Sequence, residues 1–232
     1  MGPTSLSPWL WTAACCLASY LICGIPFGKI IAGRLAHVDL QRVGSGNIGT
    51  TNALRAGGPK VAVLTLLCDV LKGTVCVSAG RTVIASLGFG FPSSVMDPGA
   101  PGDILLALVA LSALYGHIFS PYLKFKGGKG IATGVGILFG LWWPLALVHL
   151  AVFIVIVACT RYVSLGSVAT AGIVPFTVFL AFPRITPAAL AIWALLGWSV
   201  VWAHRSNISR LRAGTESKLS FTKRVDKMDD AS

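Results

Sequence analysis

Acidic side chains are scarce in this 232-residue chain, with 8 Asp and Glu against 19 Lys and Arg, a formal net charge of +11. Before the far tail, only Asp39, Asp69 and Glu216 stand near the polar motifs described below. No paired carboxylates are placed to hold Mg²⁺, so a metal-dependent phosphotransferase is disfavoured. No His-x₄-Asp box occurs, which argues against an acyltransferase fed by acyl-CoA. No Ser–His–Asp arrangement is legible. No basic stretch precedes Trp9, so a cleaved signal peptide is not expected. The six cysteines, Cys15, Cys16, Cys23, Cys68, Cys76 and Cys159, all fall in apolar segments without metal-ligand spacing. They read as small membrane-buried residues rather than disulfides, nucleophiles or metal ligands.

Apolar sequence dominates instead. Hydrophobic residues make up 55% of the chain, charged ones 12%, and mean hydropathy is +0.78. The expected fold is an all-α polytopic membrane protein of about seven transmembrane helices, some short or broken, joined by glycine-rich cytoplasmic loops. The spans are marked at 9–31, 61–88, 104–120, 131–143, 144–160, 163–183 and 186–203. Residues 131–160 as one helix would run about 45 Å, beyond a core of about 30 Å. Trp142-Trp143-Pro144 supplies the break, with aromatics suited to an interface. Residues 1–212 then form one membrane domain, and 213–232 a cytosolic tail expected to be disordered.

The basic residues lie between spans, so the charge reads as membrane topology rather than as a nucleic-acid surface. Lys29, Arg34, Arg42, Arg55 and Lys60 flank the first connection. The connection 89–103 has no Lys or Arg, whereas Lys124, Lys126 and Lys129 follow the third span. Arg161 follows the fifth span, Arg184 is an exception on an outer turn, and the tail holds Arg205, Arg210, Arg212, Lys218, Lys223, Arg224 and Lys227. The expectation is seven crossings with the N-terminus outside and the C-terminus inside. Every polar motif then faces the cytoplasm, and the same charge can serve anionic phosphate substrates. Within the 61–88 span, Asp69 and Lys72 lie three apart on one helical face. A structural ion pair is the favoured reading and a catalytic role the alternative. Arg81 is expected to snorkel to the outer interface.

Four polar stretches interrupt the apolar pattern. Gly44-Ser45-Gly46-Asn47-Ile48-Gly49-Thr50-Thr51-Asn52-Ala53-Leu54-Arg55 combines glycines, small hydrogen-bonding residues and one Arg able to fork onto a phosphate. A helix beginning at Thr50 would add free N–H groups to an anion site. Lys124-Phe125-Lys126-Gly127-Gly128-Lys129-Gly130 is a second glycine-rich, basic turn, whose N–H groups are expected to face a phosphate. Its Gly-Gly-Lys-Gly-x-x-Thr run lacks nucleotide P-loop spacing, so nucleotide hydrolysis is disfavoured. His117 just before it reads as a hydrogen-bonded bundle histidine, with a base role as the alternative. The third stretch is Arg161-Tyr162-Val163-Ser164-Leu165-Gly166-Ser167. In the fourth, His204, Asn207 and Leu211 share one helical face, ahead of Glu216.

In order and content these four stretches resemble the bacterial acyl-phosphate:glycerol-3-phosphate acyltransferases, the PlsY family, over about residues 9–220. The resemblance implies a multi-pass bacterial inner-membrane enzyme with a cytoplasmic active site. It would acylate glycerol 3-phosphate from acyl phosphate to give lysophosphatidic acid, the first acylation of phospholipid synthesis. It implies no cofactor. Its partners would be the two substrates, membrane lipid and the enzyme that produces acyl phosphate. Carried over residue by residue, Ser45, Arg55 and His204 would be catalytic. Asn47, Asn52, Gly127, Gly128, Lys129, Ser164, Ser167 and Asn207 would bind substrate, and Glu216 would be structural. Thr50 stands where the family usually has Ala. A transporter of phosphorylated small metabolites is the competing reading, although its polar residues should sit near the midplane.

An acyl phosphate is a mixed anhydride with a good leaving group, so no strong nucleophile has to be built. Three routes for the chemistry stay open at this point: His204 as base, the donor phosphate as base, and an acyl-Ser45 intermediate.

Overall fold

The computed structural model describes residues 7–219 and contains ten α-helices and no strand among them. The helices are α1 (Pro8–Gly24), α2 (Phe27–Ala36), α3 (Thr50–Val83), α4 (Asp103–Ile118) and α5 (Ile131–Leu141). They continue as α6 (Trp143–Thr160), α7 (Val163–Gly172), α8 (Val174–Ala181), α9 (Pro187–Ala203) and α10 (Arg205–Arg212). Four segments are long and apolar enough to cross a bilayer, or six if the bent pairs α7–α8 and α9–α10 each count as one. The apolar helix α5 is shorter, at 11 residues. In lipid only helices satisfy their own backbone, which is why the apolar runs fold this way.

Proline and glycine set the breaks. The expected first span stops at Ile25-Pro26, where Pro26 has no N–H to continue the ladder, and restarts as α2. The second span is longer than expected. It starts at Thr50, kinks at Gly58 (φ 81°, ψ −179°) before Pro59, and runs on as a π-helical stretch Ile84–Phe89. Trp142 is extended between α5 and α6, as its Trp-Trp-Pro context leads one to expect. The sixth expected span is bent by 46° between α7 and α8.

α4 is the central helix, with Leu105, Leu106, Val109, Ala110, Ala113 and Leu114 all buried against α1, α9 and α3. Large apolar side chains cover the outside instead, among them Leu71, Val155, Phe176, Leu180 and Trp198. In water this would be an aggregating surface; here it is the face offered to lipid. Arg81 does not simply reach for solvent. It pairs with Asp97 and donates from Nη2 to the Leu141 carbonyl at 2.7 Å. At the same end Asp103 accepts from the N–H groups of Gly99 (3.0 Å) and Thr186 (2.9 Å) and from the Thr186 hydroxyl (3.0 Å), tying α4 to the start of α9.

Without a hydrophobic drive between lipid-immersed helices, packing depends on small residues and close backbones. α3 packs most extensively on α5, and Gly136 makes that approach possible. A Cβ there would overlap the Val70 carbonyl, whereas one at Gly134 would meet nothing within 4 Å. Gly136→Ala is therefore expected to lower the thermal midpoint in detergent, by the equivalent of about 1–3 kcal/mol. Gly134→Ala, measured alongside, is expected to leave it unchanged or raise it slightly.

Candidate functional site

The first glycine-rich stretch is folded around one side chain. Asn52, in the first turn of α3, is 2% exposed. Its Nδ2 donates to the carbonyls of Leu40 (3.0 Å), Val43 (3.1 Å) and Asn47 (2.8 Å). Its Oδ1 accepts from the Ser45 N–H at 3.1 Å. Both Nδ2 protons are thus taken up by its own loop, shared among three carbonyls. Asn47 turns the chain locally, its Oδ1 accepting from Gly49 N–H at 2.8 Å. Gly44 and Gly46 take left-handed φ of 57° and 69°, so the loop curls and leaves Ser45 exposed. Arg55, one turn into α3, is also exposed. The Thr50 hydroxyl, the departure from the family pattern, is buried without a partner.

The second stretch differs from expectation in an instructive way. Gly127 N–H donates to the Ile118 carbonyl and Gly128 N–H to the His117 carbonyl, both at 3.0 Å. These two amides do not face a ligand. They satisfy carbonyls that the last turn of α4 cannot pair within the helix. Glycine is required there because a Cβ on Gly127 would overlap the His117 carbonyl, and one on Gly128 would overlap the His117 ring. Gly130 (φ 85°) then turns the chain into α5. What the loop presents is Lys129.

Lys129 is where the stretches meet. Its Nζ donates to Asn207 Oδ1, and Asn207 Nδ2 donates to Glu216 Oε1 at 2.6 Å. Arg210 Nε holds the other Glu216 oxygen at 2.6 Å. Burial, then the charge of Arg210, lower the Lys129 pKa below its ordinary value; Glu216 opposes this and Arg55 adds to it. Arg55 of the first stretch is thus near enough to act on Lys129 of the second. Burial raises the Glu216 pKa, but its hydrogen bonds, the one from Asn207 foremost, outweigh that and leave it below the ordinary value. Ser164, from the third stretch, is buried beside Glu216, and its hydroxyl lacks a hydrogen-bond partner of good geometry. Ser167, one turn further, donates to the Val163 carbonyl at 2.9 Å and keeps lone pairs to accept with.

His204 occupies the 57° corner between α9 and α10 and is 4% exposed. Its Nδ1 lies 2.8 Å from the Val200 carbonyl. A carbonyl only accepts, so Nδ1 carries the proton and the neutral ring keeps a lone pair on Nε2. Burial is the main cause that lowers its pKa to about 4. The segment 213–219 folds back over this end. Leu219 N–H donates to the Arg161 carbonyl at 2.7 Å, Arg161 Nη2 donates to the Leu219 carbonyl at 3.0 Å, and Lys218 lies over the Tyr162 ring. That much of the expected tail is docked; residues 220–232 lie outside the described residues. Sequence reasoning assigned Arg210 no role. The signal was a lone Glu six residues on, in a chain poor in carboxylates.

Asn52→Ala removes four hydrogen bonds and is expected to destabilise the fold by roughly 2–4 kcal/mol. Hydrogen exchange should localise the loss of protection to residues 40–52, and exchange confined elsewhere would contradict the role given to this amide.

Likeness to known proteins extends over most of the chain. The family model described as "Glycerol-3-phosphate acyltransferase" matches residues 13–214. The glycerol-3-phosphate acyltransferase of Bartonella quintana (strain Toulouse) is 44% identical over 209 residues, 90% of this chain and 92% of that one. That of Rhodopseudomonas palustris (strain BisB5) is 41% identical over 90% of this chain and 97% of the other. Among solved structures, PlsY (YgiH), an integral membrane glycerol 3-phosphate acyltransferase, superposes in its glycerol 3-phosphate form with a TM-score of 0.75. It shares 33% identity, covering 90% of this chain and 96% of the other. Its lysophosphatidic acid form superposes with a TM-score of 0.73 at 32% identity, covering 91% and 97%. With a lysine, an amide and a carboxylate joined at the same end of a lipid-facing bundle as a neutral histidine, and with likeness over nine-tenths of the chain, this protein belongs to the glycerol-3-phosphate acyltransferase family.

Proposed function

We propose that this chain transfers a fatty acyl group from acyl phosphate to glycerol 3-phosphate, giving lysophosphatidic acid and inorganic phosphate. The supporting observation is the junction at Lys129, where charge from Arg55 and Arg210 converges on one lysine beside a single carboxylate. Two phosphorylated substrates repel each other, and such a cluster offsets that repulsion. A relative's solved form with glycerol 3-phosphate supports the acceptor, and its lysophosphatidic acid form supports the product. The donor rests on chemistry: with a good leaving group, positioning and charge suffice, and orientation alone removes up to about 7–11 kcal/mol of barrier. The family match leaves the transporter reading without support.

In the reaction the glycerol hydroxyl oxygen bonds to the acyl carbon, and the bond from that carbon to the phosphate oxygen breaks. The hydroxyl proton leaves with the departing phosphate. Arg55 and Lys129 balance phosphate charge; the exposed Ser45 and the buried Ser164 and Ser167 offer hydroxyls to the substrates. Asn207, gripped between Lys129 and Glu216, is oriented by them. Asn52 and Asn47 serve by shaping the loop that carries Ser45, and Gly127 and Gly128 by seating Lys129. His204 with a pKa near 4 is a weak base at neutral pH. The donor's own phosphate, with a second pKa of about 6, is the better proton acceptor. We place the site on the cytoplasmic side of the bacterial inner membrane, N-terminus outside and C-terminus inside, on the charge pattern of the connections.

The test is purified protein in detergent with acyl phosphate and glycerol 3-phosphate, the product read by mass. Lys129→Met is expected to lower kcat/KM by at least about 100-fold. Turnover with acyl-CoA but none with acyl phosphate would overturn the donor assignment. The pH profile separates the bases. If the donor phosphate takes the proton, activity falls as pH drops through about 6, where that phosphate becomes protonated. His204→Gln should then leave that midpoint in place. If neutral His204 is the base, kcat/KM holds until pH falls to about 4, where the ring becomes charged, and His204→Gln abolishes that limb.

A further inference from the structure

Beneath the site, three ionisable side chains are sealed inside the apolar body. Asp69, Lys72 and His117 are 2%, 5% and 4% exposed. Lys72 Nζ lies 2.7 Å from Asp69 Oδ1 and donates to the Ile25 carbonyl at 3.1 Å. His117 Nδ1 stands 3.7 Å from the same Asp69 oxygen, without a hydrogen-bond partner of its own. None of the three belongs to the cluster around Lys129. A buried pair of this kind is often no more stable than apolar residues of similar volume, so stability alone is a weak reason for its presence.

Its neighbours give a better one. Ile25 is the last residue before the Pro26 break, and α2 begins two residues later. Gly28, in the first turn of α2, lies so near the Ile48 carbonyl that a Cβ would overlap it. Ile48 is three residues from Ser45 in the first glycine loop. On the other side, the His117 carbonyl holds Gly128 N–H at 3.0 Å, and its ring is the floor on which Gly128 rests. Lys129 follows directly. Ser120 Oγ donates to the Gly24 carbonyl at 2.6 Å and so ties the same two helix ends together. One short chain of close contacts therefore runs from the Ser45 loop through Lys72, Asp69 and His117 to the Lys129 loop.

We infer that the Asp69–Lys72 pair and His117 are positioning residues that set the spacing of the two glycine loops, and with it the approach of the two phosphorylated substrates. The inference rests on the acyltransferase reading for its consequence, though not for its geometry. A misplacement of about 1 Å costs on the order of 100-fold in rate when catalysis is orientation. Unpaired charges in Asp69→Asn and Lys72→Met destabilise the fold, so the informative variant is the double, Asp69→Asn/Lys72→Met, which leaves no buried charge alone.

The experiment uses the full chain in lipid nanodiscs. The double variant is expected to keep a thermal midpoint close to the parent's while kcat falls at least about tenfold and KM for glycerol 3-phosphate changes less than about threefold. Spin labels introduced at Arg42→Cys and Lys126→Cys in a cysteine-free background report the loop spacing by pulsed electron resonance. That distance distribution should shift or broaden in the double variant and in His117→Asn. An unchanged distribution, or a double variant with kcat within about threefold of the parent, overturns the inference. If the parent itself shows no turnover, the acyltransferase reading fails, and the label distances still decide the positioning role.

Discussion

Contact between backbones, closer than any side chain would permit, is the constraint on which the rest of this molecule depends. Gly28 against the Ile48 carbonyl, Gly116 against the Tyr20 carbonyl, Gly127 against the His117 carbonyl and Gly136 against the Val70 carbonyl all leave no room for a Cβ. Lipid is as apolar as leucine, so burial of leucine cannot choose which helices touch. Shape chooses instead. The glycines that look like features of a phosphate loop are first of all packing residues, and the loop acquires its form by being pressed onto helix ends.

Charge is the second constraint. Each described carboxylate is committed: Asp39 to Lys29 and Arg42, Asp69 to Lys72, Asp97 to Arg81, Glu216 to Arg210, and Asp103 to backbone and hydroxyl donors. Among the described residues, no carboxylate lies within ion-pair distance of Arg55 or Lys129. Positive charge at the mouth of the bundle is therefore available to an anionic ligand, and it costs the fold little where solvent reaches it. Glu216 does more than neutralise. By gripping Arg210 and Asn207 together it holds the Asn207 carbonyl toward Lys129 and links α10 to the loop before α5.

Much of the architecture was legible because membranes simplify the physics. Twenty apolar residues can only be a helix, and Trp142-Trp143-Pro144 can only be a break in this setting. Helix onset at Thr50 and the Asp69–Lys72 pair follow from local spacing rules, whereas the corner at His204 does not. The break at Pro26 was missed because hydropathy alone continues smoothly across it. The bend between α7 and α8 was missed for the same reason, Pro175 being tolerated in a first helical turn.

The class of fold, the four polar stretches and the chemistry they can offer are written in the chain, since hydropathy, backbone preferences and side-chain charge are local properties. What each polar group does is set by packing. Asn52 and Gly128 look like ligand-binding residues until their partners are seen to be backbone atoms, those of the preceding loop for Asn52 and of the end of α4 for Gly128. Lys129, Asn207 and Glu216 become one junction only when α10 is brought to the loop between α4 and α5, because a hydrogen bond between residues 78 apart depends on helix placement, which no local pattern encodes.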